Sequence, residues 1–452
     1  MGQGELCPDL AGRKEENMKK QWRTALGIVL AASLLAGCGG QPEDISGTEN
    51  LMSDAEAVQS GADALGESGE HTEAQQLNLN GEDSSEEVDI RDFSYKLTRE
   101  ALEHLNQENP ILSPVSAYLA LSMAAEGASG ETAAELENLL GENYRQLSEQ
   151  CLQRFQGMQE IELELADSAW LEQRLRVEEQ WLETVQESYR GEVYRVELSS
   201  QQTMADINTW AEEHTRGLVK GFLDQPLPDD ARLCLLNALY LKADWQSSFE
   251  GYVTQEQAWY REDGEEKQVD TMRKFQEYFD YVADVGMDGV VLPFCGEELA
   301  FLAVRPQAGQ TARELCGQLT PEQIARLLEG REYRLMNLSL PKFTAACDQE
   351  LNELLQGLGV ERAFTELADF SGLGAGEDGW PLHISLVRQK AVMEVSEDGV
   401  EAGAVTMLAM QDGAAIYLEE ALEMKLDHPF VYMILDMDTQ IPLFVGIMDD
   451  PG

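Results

Sequence analysis

ARLCLLNALYLKADW, residues 231–245, decides how this chain folds. Its apolar run has no polar face at either helical or strand spacing. A strand buried on both sides reads this way, because each face meets another layer. Around it the chain changes character. Upstream, DFSYKLTREALEHLNQ predicts a helix from about Arg91 to Leu105, and Asn109-Pro110 breaks it. SPVSAYLALSMAAEGA follows, with Ser113 as cap and Pro114 in the first turn, then a short helix over ETAAELENLLG. IELELADSAWLEQ alternates as a strand, and helices are expected at Glu178–Tyr189 and Ser200–His214. Downstream, GVVLPF, LAFLAVRP, EYRLMNLSLPKF, SLVRQKAVMEV and PFVYMILD read as strands, with helices at TPEQIARLLEG and QELNELLQGLG. Helices early and strands late predict an α+β domain with large antiparallel sheets.

The totals exclude several functions. The 452 residues carry a formal net charge of −52 and are 43% hydrophobic, enough for a large core. Length alone predicts two or three domains. Nucleic acid is excluded as a partner, because phosphate binding needs clustered Lys and Arg. The cysteines, Cys7, Cys38, Cys151, Cys234, Cys295, Cys316 and Cys347, form no CxxC pair, so neither a metal site nor a disulfide framework is expected. The histidines His71, His104, His214, His383 and His428 are scattered, and no HExxH or GxSxG occurs. An enzyme is not expected, nor a cofactor. GLGAGEDG (372–379) lacks the strand and helix that frame a phosphate loop and reads as a surface turn. Asp270 and Arg273 offer polar partners, but nothing marks them as catalytic.

The N-terminus reads as an address. Basic residues from Lys19 to Arg23 precede about a dozen apolar ones. That run is too short for a span of about 20 residues but suits a signal peptide. Leu35-Ala36-Gly37-Cys38 resembles a bacterial lipobox, which implies lipid attachment at Cys38 and cleavage just before it. Residues 1–17 fit a signal poorly, and MKK from Met18 suits a translation start. Residues 1–38 are therefore expected to be a signal with lipobox. Residues 39–87, rich in Gly, Ser, Glu, Asp and Gln, are expected to be a disordered acidic tether, and 88–452 the folded domain. The expected location is the outer face of a bacterial cell membrane, through the lipid, or the extracellular space.

Several blocks in order carry a further resemblance. They are NPILSPVSAYLALSMAAEGASGETAAEL, INTWAEEHTRGLVKGFL, LCLLNALYLKADWQSSF, VDTM, LPF, LPKF, ADFSGL and DHPFVYMILDMDTQIPLFVGIMDDP. From Asp92 to Pro451 the chain resembles the serpins. The resemblance implies one domain: a serpin fold of three β-sheets, about eight to nine helices and an exposed reactive-centre loop. It also implies a function, in which the loop is held out in a metastable state. A protease attacks it, forms an acyl-enzyme and is trapped as the cleaved loop enters the main sheet; serpin loop insertion is a recognised case of strand addition and switching.

EVSEDGVEAGAVTMLAM (394–410) matches the hinge of that loop, with Glu397 and Gly399 in its acidic turn. Val400 stands where the family usually has threonine. One strand parity reads Val400, Ala402, Ala404, Thr406, Leu408, Met410, all uncharged. The other, Glu401, Gly403, Val405, Met407, Ala409, carries the only charge. A strand entering a core needs one face free of unpaired charge. About 14 inserted residues would move the far end roughly 45 Å. Ser113, Ser116 and Asn237 match the family's sheet-opening cluster, with Gln389 where histidine is frequent, and Trp245 matches the point of loop entry.

The cleaved bond stays open between two counts. Counting from the hinge gives Gly413–Ala414; counting back from Pro429 gives Leu418–Glu419, with Ala415, Ile416 and Tyr417 between. Insertion length favours Gly413–Ala414. Neither count puts Arg or Lys at the bond, so the expected target endopeptidase is elastase-, subtilisin- or chymotrypsin-like, a cysteine protease being an alternative. A monomer is expected. The competing reading is a non-inhibitory serpin that binds a partner or is merely cleaved.

Overall fold

A computed structural model describes residues 49–50, 89–104, 108–158, 160–376, 379–400 and 420–452. Helix α1 spans Ile90–His104, and the short β1 (Glu49–Asn50) and β2 (Ile111–Leu112) precede and follow it. Then come α2 (Pro114–Ala125), α3 (Gly130–Leu140), α4 (Tyr144–Gly157), β3 (Glu162–Glu172), β4 (Leu175–Val177), α5 (Glu179–Thr184), β5 (Glu192–Val196), α6 (Gln201–His214) and β6 (Leu233–Asp244). The second half holds β7 (Gln255–Tyr260), β8 (Glu266–Asp284), β9 (Met287–Pro293), β10 (Leu299–Pro306), α7 (Ala312–Gln318), α8 (Pro321–Glu329), β11 (Glu332–Pro341), β12 (Phe343–Glu350), α9 (Asn352–Gly357), β13 (Gly374–Gly376), β14 (Ile384–Val395), β15 (Gly399–Val400), β16 (Leu422–Lys425), β17 (Phe430–Asp436) and β18 (Pro442–Met448). The result is mixed α+β with nine α-helices among the described residues and three sheets.

The main sheet has seven strands in the order β1-β5-β3-β6-β15-β14-β12. Its centre explains the unbroken apolar run of β6. Leu233, Leu235, Leu239 and Leu241 face the core that contains α2; Cys234, Leu236 and Ala238 face the layer of Ile207, Trp210 and Phe222. Each face of the strand is roofed, so neither parity needs polar residues. Helix α2 is buried along its whole length, which is why its sequence has no polar stripe. A nine-stranded sheet built on β8, β9, β10, β17 and β18 closes the other side of this core, and β13 pairs with β4 as a two-stranded ribbon.

Several expectations need correction. Ser113 sits at the α2 N-cap but makes no capping bond; its hydroxyl goes elsewhere. The helix expected to Tyr189 becomes a π-turn from Val185. EYRLMNLSLPKF contributes to two strands, β11 and β12, split at Lys342. The glycine-rich 372–379 turn contains strand β13, because a Cβ at Gly374 would lie 2.4 Å from the Arg176 carbonyl of β4. Helices α4 and α7 were not expected. The described cysteines are all buried free thiols. Among the described residues no helix is long and apolar enough to cross a membrane.

Candidate functional site

Strands β6 and β14 run parallel and pair from Leu233 and Ile384 to Leu239 and Ala391. There the ladder stops. Four residues further along, β15 lies between them and antiparallel to both: Val400 opposes Ala243 on one side and Val395 on the other. The expectation that the hinge waits outside the sheet is therefore corrected for Gly399 and Val400, which are already seated in it.

The seat is built by the SEDG turn. Ser396 N–H donates to the Gly399 carbonyl at 2.9 Å, closing a tight hairpin from β14 into β15. Gly399 is required here, since a Cβ would lie 2.1 Å from the Ala243 carbonyl oxygen. Trp245 is 3% exposed, stacks on Phe294, and donates from Nε1 to the Ser396 carbonyl at 2.8 Å. The backbone N–H groups of Trp245 and Phe249 reach the Asp398 and Glu397 carbonyls, each at 2.8 Å. The Glu397 carboxylate accepts from Lys342 Nζ and Thr254 Oγ1, both at 2.8 Å. Burial opposes its charge, but these partners outweigh burial and hold it below the ordinary carboxylate range.

Below the seat a polar row crosses the closed sheet. Gln389 acts like a second peptide group towards the start of α2. Its Oε1 accepts from Ser113 N–H and its Nε2 donates to the Ser113 carbonyl, both at 2.8 Å. Nε2 also reaches Asn237 Oδ1 at 3.3 Å. The Ser113 and Ser116 hydroxyls lie 2.9 Å apart. All four side chains named from the sequence are brought together and are almost wholly buried. Two members went unread. The Cys347 thiol lies 3.6 Å from Gln389 Oε1. Asp167 accepts from Asn237 Nδ2 at 2.8 Å, and burial pushes its carboxyl up to about 7 although that bond lowers it. The signal for Asp167 was an acid at an inward position of an alternating strand.

Glu401, Ala402, Gly403, Ala404 and Thr406, the bond candidates from Gly413 to Glu419, and Cys38 lie outside the described residues. Among the described residues, no cluster of His, Cys, Asp and Glu could hold a metal.

The centre of the main sheet is thus a parallel pair, β6 and β14, with a third strand, β15, wedged between them at one end. Residues 89–451 match the family model "Serpin (serine protease inhibitor)". A serpin-like protein of Thermococcus kodakarensis is 31% identical over 80% of this chain and 85% of its own length. The alpha-1-antiproteinase of Rattus norvegicus is 28% identical over 80% and 88%. The solved native state of tengpin, a thermophilic serpin, superposes with a TM-score of 0.74 at 28% identity, covering 81% of this chain and 96% of that one. The chain belongs to the serpin family, whose members are protease inhibitors rather than enzymes.

Proposed function

We propose that the protein is a suicide-substrate inhibitor of serine or cysteine endopeptidases, monomeric and anchored by lipid on Cys38 to the outer face of a bacterial membrane. The observation that carries this reading is β15, a strand begun between two separable neighbours. Its register, continued, sets Thr406 opposite both Asn237 and Gln389, and Met410 opposite Leu233 and Ser385 at the foot of the slot. Gly413 lies three residues beyond Met410, so cleavage at Gly413–Ala414 leaves enough chain to fill the slot. Val400, Ala402 and Ala404 take the inner face, where small side chains fit. Insertion replaces one parallel ladder by two antiparallel ones, which adds backbone pairs of the slightly more stable kind. That gain drives the trap.

The target is an elastase-, subtilisin- or chymotrypsin-like protease that accepts small or apolar residues at the bond. Incubation with such proteases tests this. A covalent band surviving boiling in detergent, with a released peptide beginning at Ala414, is the expected result. Cleavage without a covalent band overturns the trap and leaves a plain binder or substrate.

A further inference from the structure

The polar row contains one carboxyl group, that of Asp167. Asp167 is 6% exposed, and its Oδ1 accepts from Asn237 Nδ2. That bond turns Asn237 Oδ1 towards Gln389, which in turn offers Oε1 to Ser113 N–H. The orientation of each amide in the row thus follows from a single carboxylate on β3, which is separated from the slot by β6. We propose that Asp167 is the positioning residue on which the sheet-opening row depends, so that gain or loss of its proton sets how often β6 and β14 part. The proposal rests on the reading of that strand pair as the line of insertion.

Among the strands of the main sheet, charge at the parity of Asp167 comes from Arg195 of β5, which lies opposite Leu171, four residues along β3 from Asp167. On β3, Glu162 and Glu164 alternate to the opposite face, as Glu192 does on the neighbouring β5. On β6, Leu235 and Leu239 flank Asn237. On β14, Arg388 and Lys390 turn away to Asp348 and the Gly221 carbonyl. Helix α2 presents Ser113, Ser116 and Tyr118, and burial pushes the Tyr118 phenol up. Burial likewise raises the Cys151 thiol of α4, and pushes the Cys347 thiol of β12 to about 12. These three groups stay neutral across the physiological range.

The sign follows from the upward shift, in which burial outweighs the Asn237 bond. The closed sheet binds the Asp167 proton more tightly than any state in which water reaches the row. As pH rises through about 7 the buried anion accumulates, the closed state loses ground, and parting becomes more frequent. Asparagine at 167 keeps the shape without the charge and holds the sheet in its low-pH behaviour.

Amide hydrogen exchange of the intact chain, without protease, tests this between about pH 5.5 and 7.5. Protection over residues 233–239 and 384–391 is corrected for the intrinsic pH dependence of exchange. The expected result is opening about tenfold more frequent at the upper pH, equivalent to one pKa unit of difference between closed and parted states. Asp167→Asn abolishes the step and stays at the low-pH value. His214, on the other face and pushed up to about 8, is the competing titration, and His214→Gln keeps the step. A flat profile in the parent chain overturns the proposal whether or not Asp167→Asn folds. So does a step that survives Asp167→Asn or vanishes in His214→Gln. Failure to trap a protease leaves these exchange results intact, so the two readings fail separately.

Discussion

Gly399 carries the sharpest constraint on a single residue. Any side chain there collides with the β6 backbone, 2.1 Å from the Ala243 carbonyl oxygen and 2.7 Å from Asp244 Cα. Gly399→Val is expected to drive β15 from the sheet. If entry begins with this seat, the protease then completes cleavage before the loop is captured. Titration against an elastase-like enzyme should show stoichiometry of inhibition rising at least about tenfold, roughly 1.4 kcal/mol in the partition between trapping and release. Gln389→Ala removes the side chain that pairs with both Ser113 backbone groups. Leaving buried polar groups without partners costs about 1–3 kcal/mol each, so calorimetry of the intact chain should show a lowered Tm. The resemblance named Gln389 and its neighbours, but Asp167 escaped it. In IELELADSAWLEQ an inward acid looks like a break in alternation, and its partner Asn237 lies 70 positions away.

At the scale of elements, α6 rests on the main sheet through His214. Its Nδ1 lies 2.5 Å from Glu164 of β3 and its Nε2 3.4 Å from Glu192 of β5. Burial alone would lower the imidazole, but the two carboxylates outweigh it and raise it to about 8. The sign follows from linkage: the clamp contributes fully below the unfolded value near 6.5 and is lost as pH rises through about 8. Amide protection of α6 is therefore expected to fall between about pH 7 and 9, and His214→Gln should remove that dependence. The long elements were legible because burial marks the sequence: the unbroken apolar runs of β6 and α2 and the strand run of β14 read directly. Helix α7 carries a full capping box, Thr311 with Glu314, a signal present in the sequence that its short apolar pattern obscured. In α4 the buried Leu147, Cys151 and Phe155 recur every fourth residue with Leu152 beside them, but polar residues fill most of the other positions. The π-turn at Val185–Tyr189 has no such signature, since it follows from how α5 meets its neighbours.

For the molecule as a whole, the proposed trap draws on the closed β6–β14 ladder. Cleaving the chain at Gly413–Ala414 should raise its Tm by at least about 10 °C, because two antiparallel ladders then replace the single parallel β6–β14 ladder. Calorimetry before and after limited proteolysis measures this, and an unchanged Tm would remove the driving force. What the sequence by itself determined was the family, the order of the principal elements and the uncharged parity from Val400 to Met410. These are local patterns of burial and ordered motifs, written along the chain. Only the tertiary structure decided that Gly399 and Val400 are already seated, that Glu397 is held by Lys342 and Thr254, and that Asp167 completes the polar row. Each of those facts depends on register between strands far apart in sequence, and register is fixed by packing across the sheet rather than by the residues of any one strand.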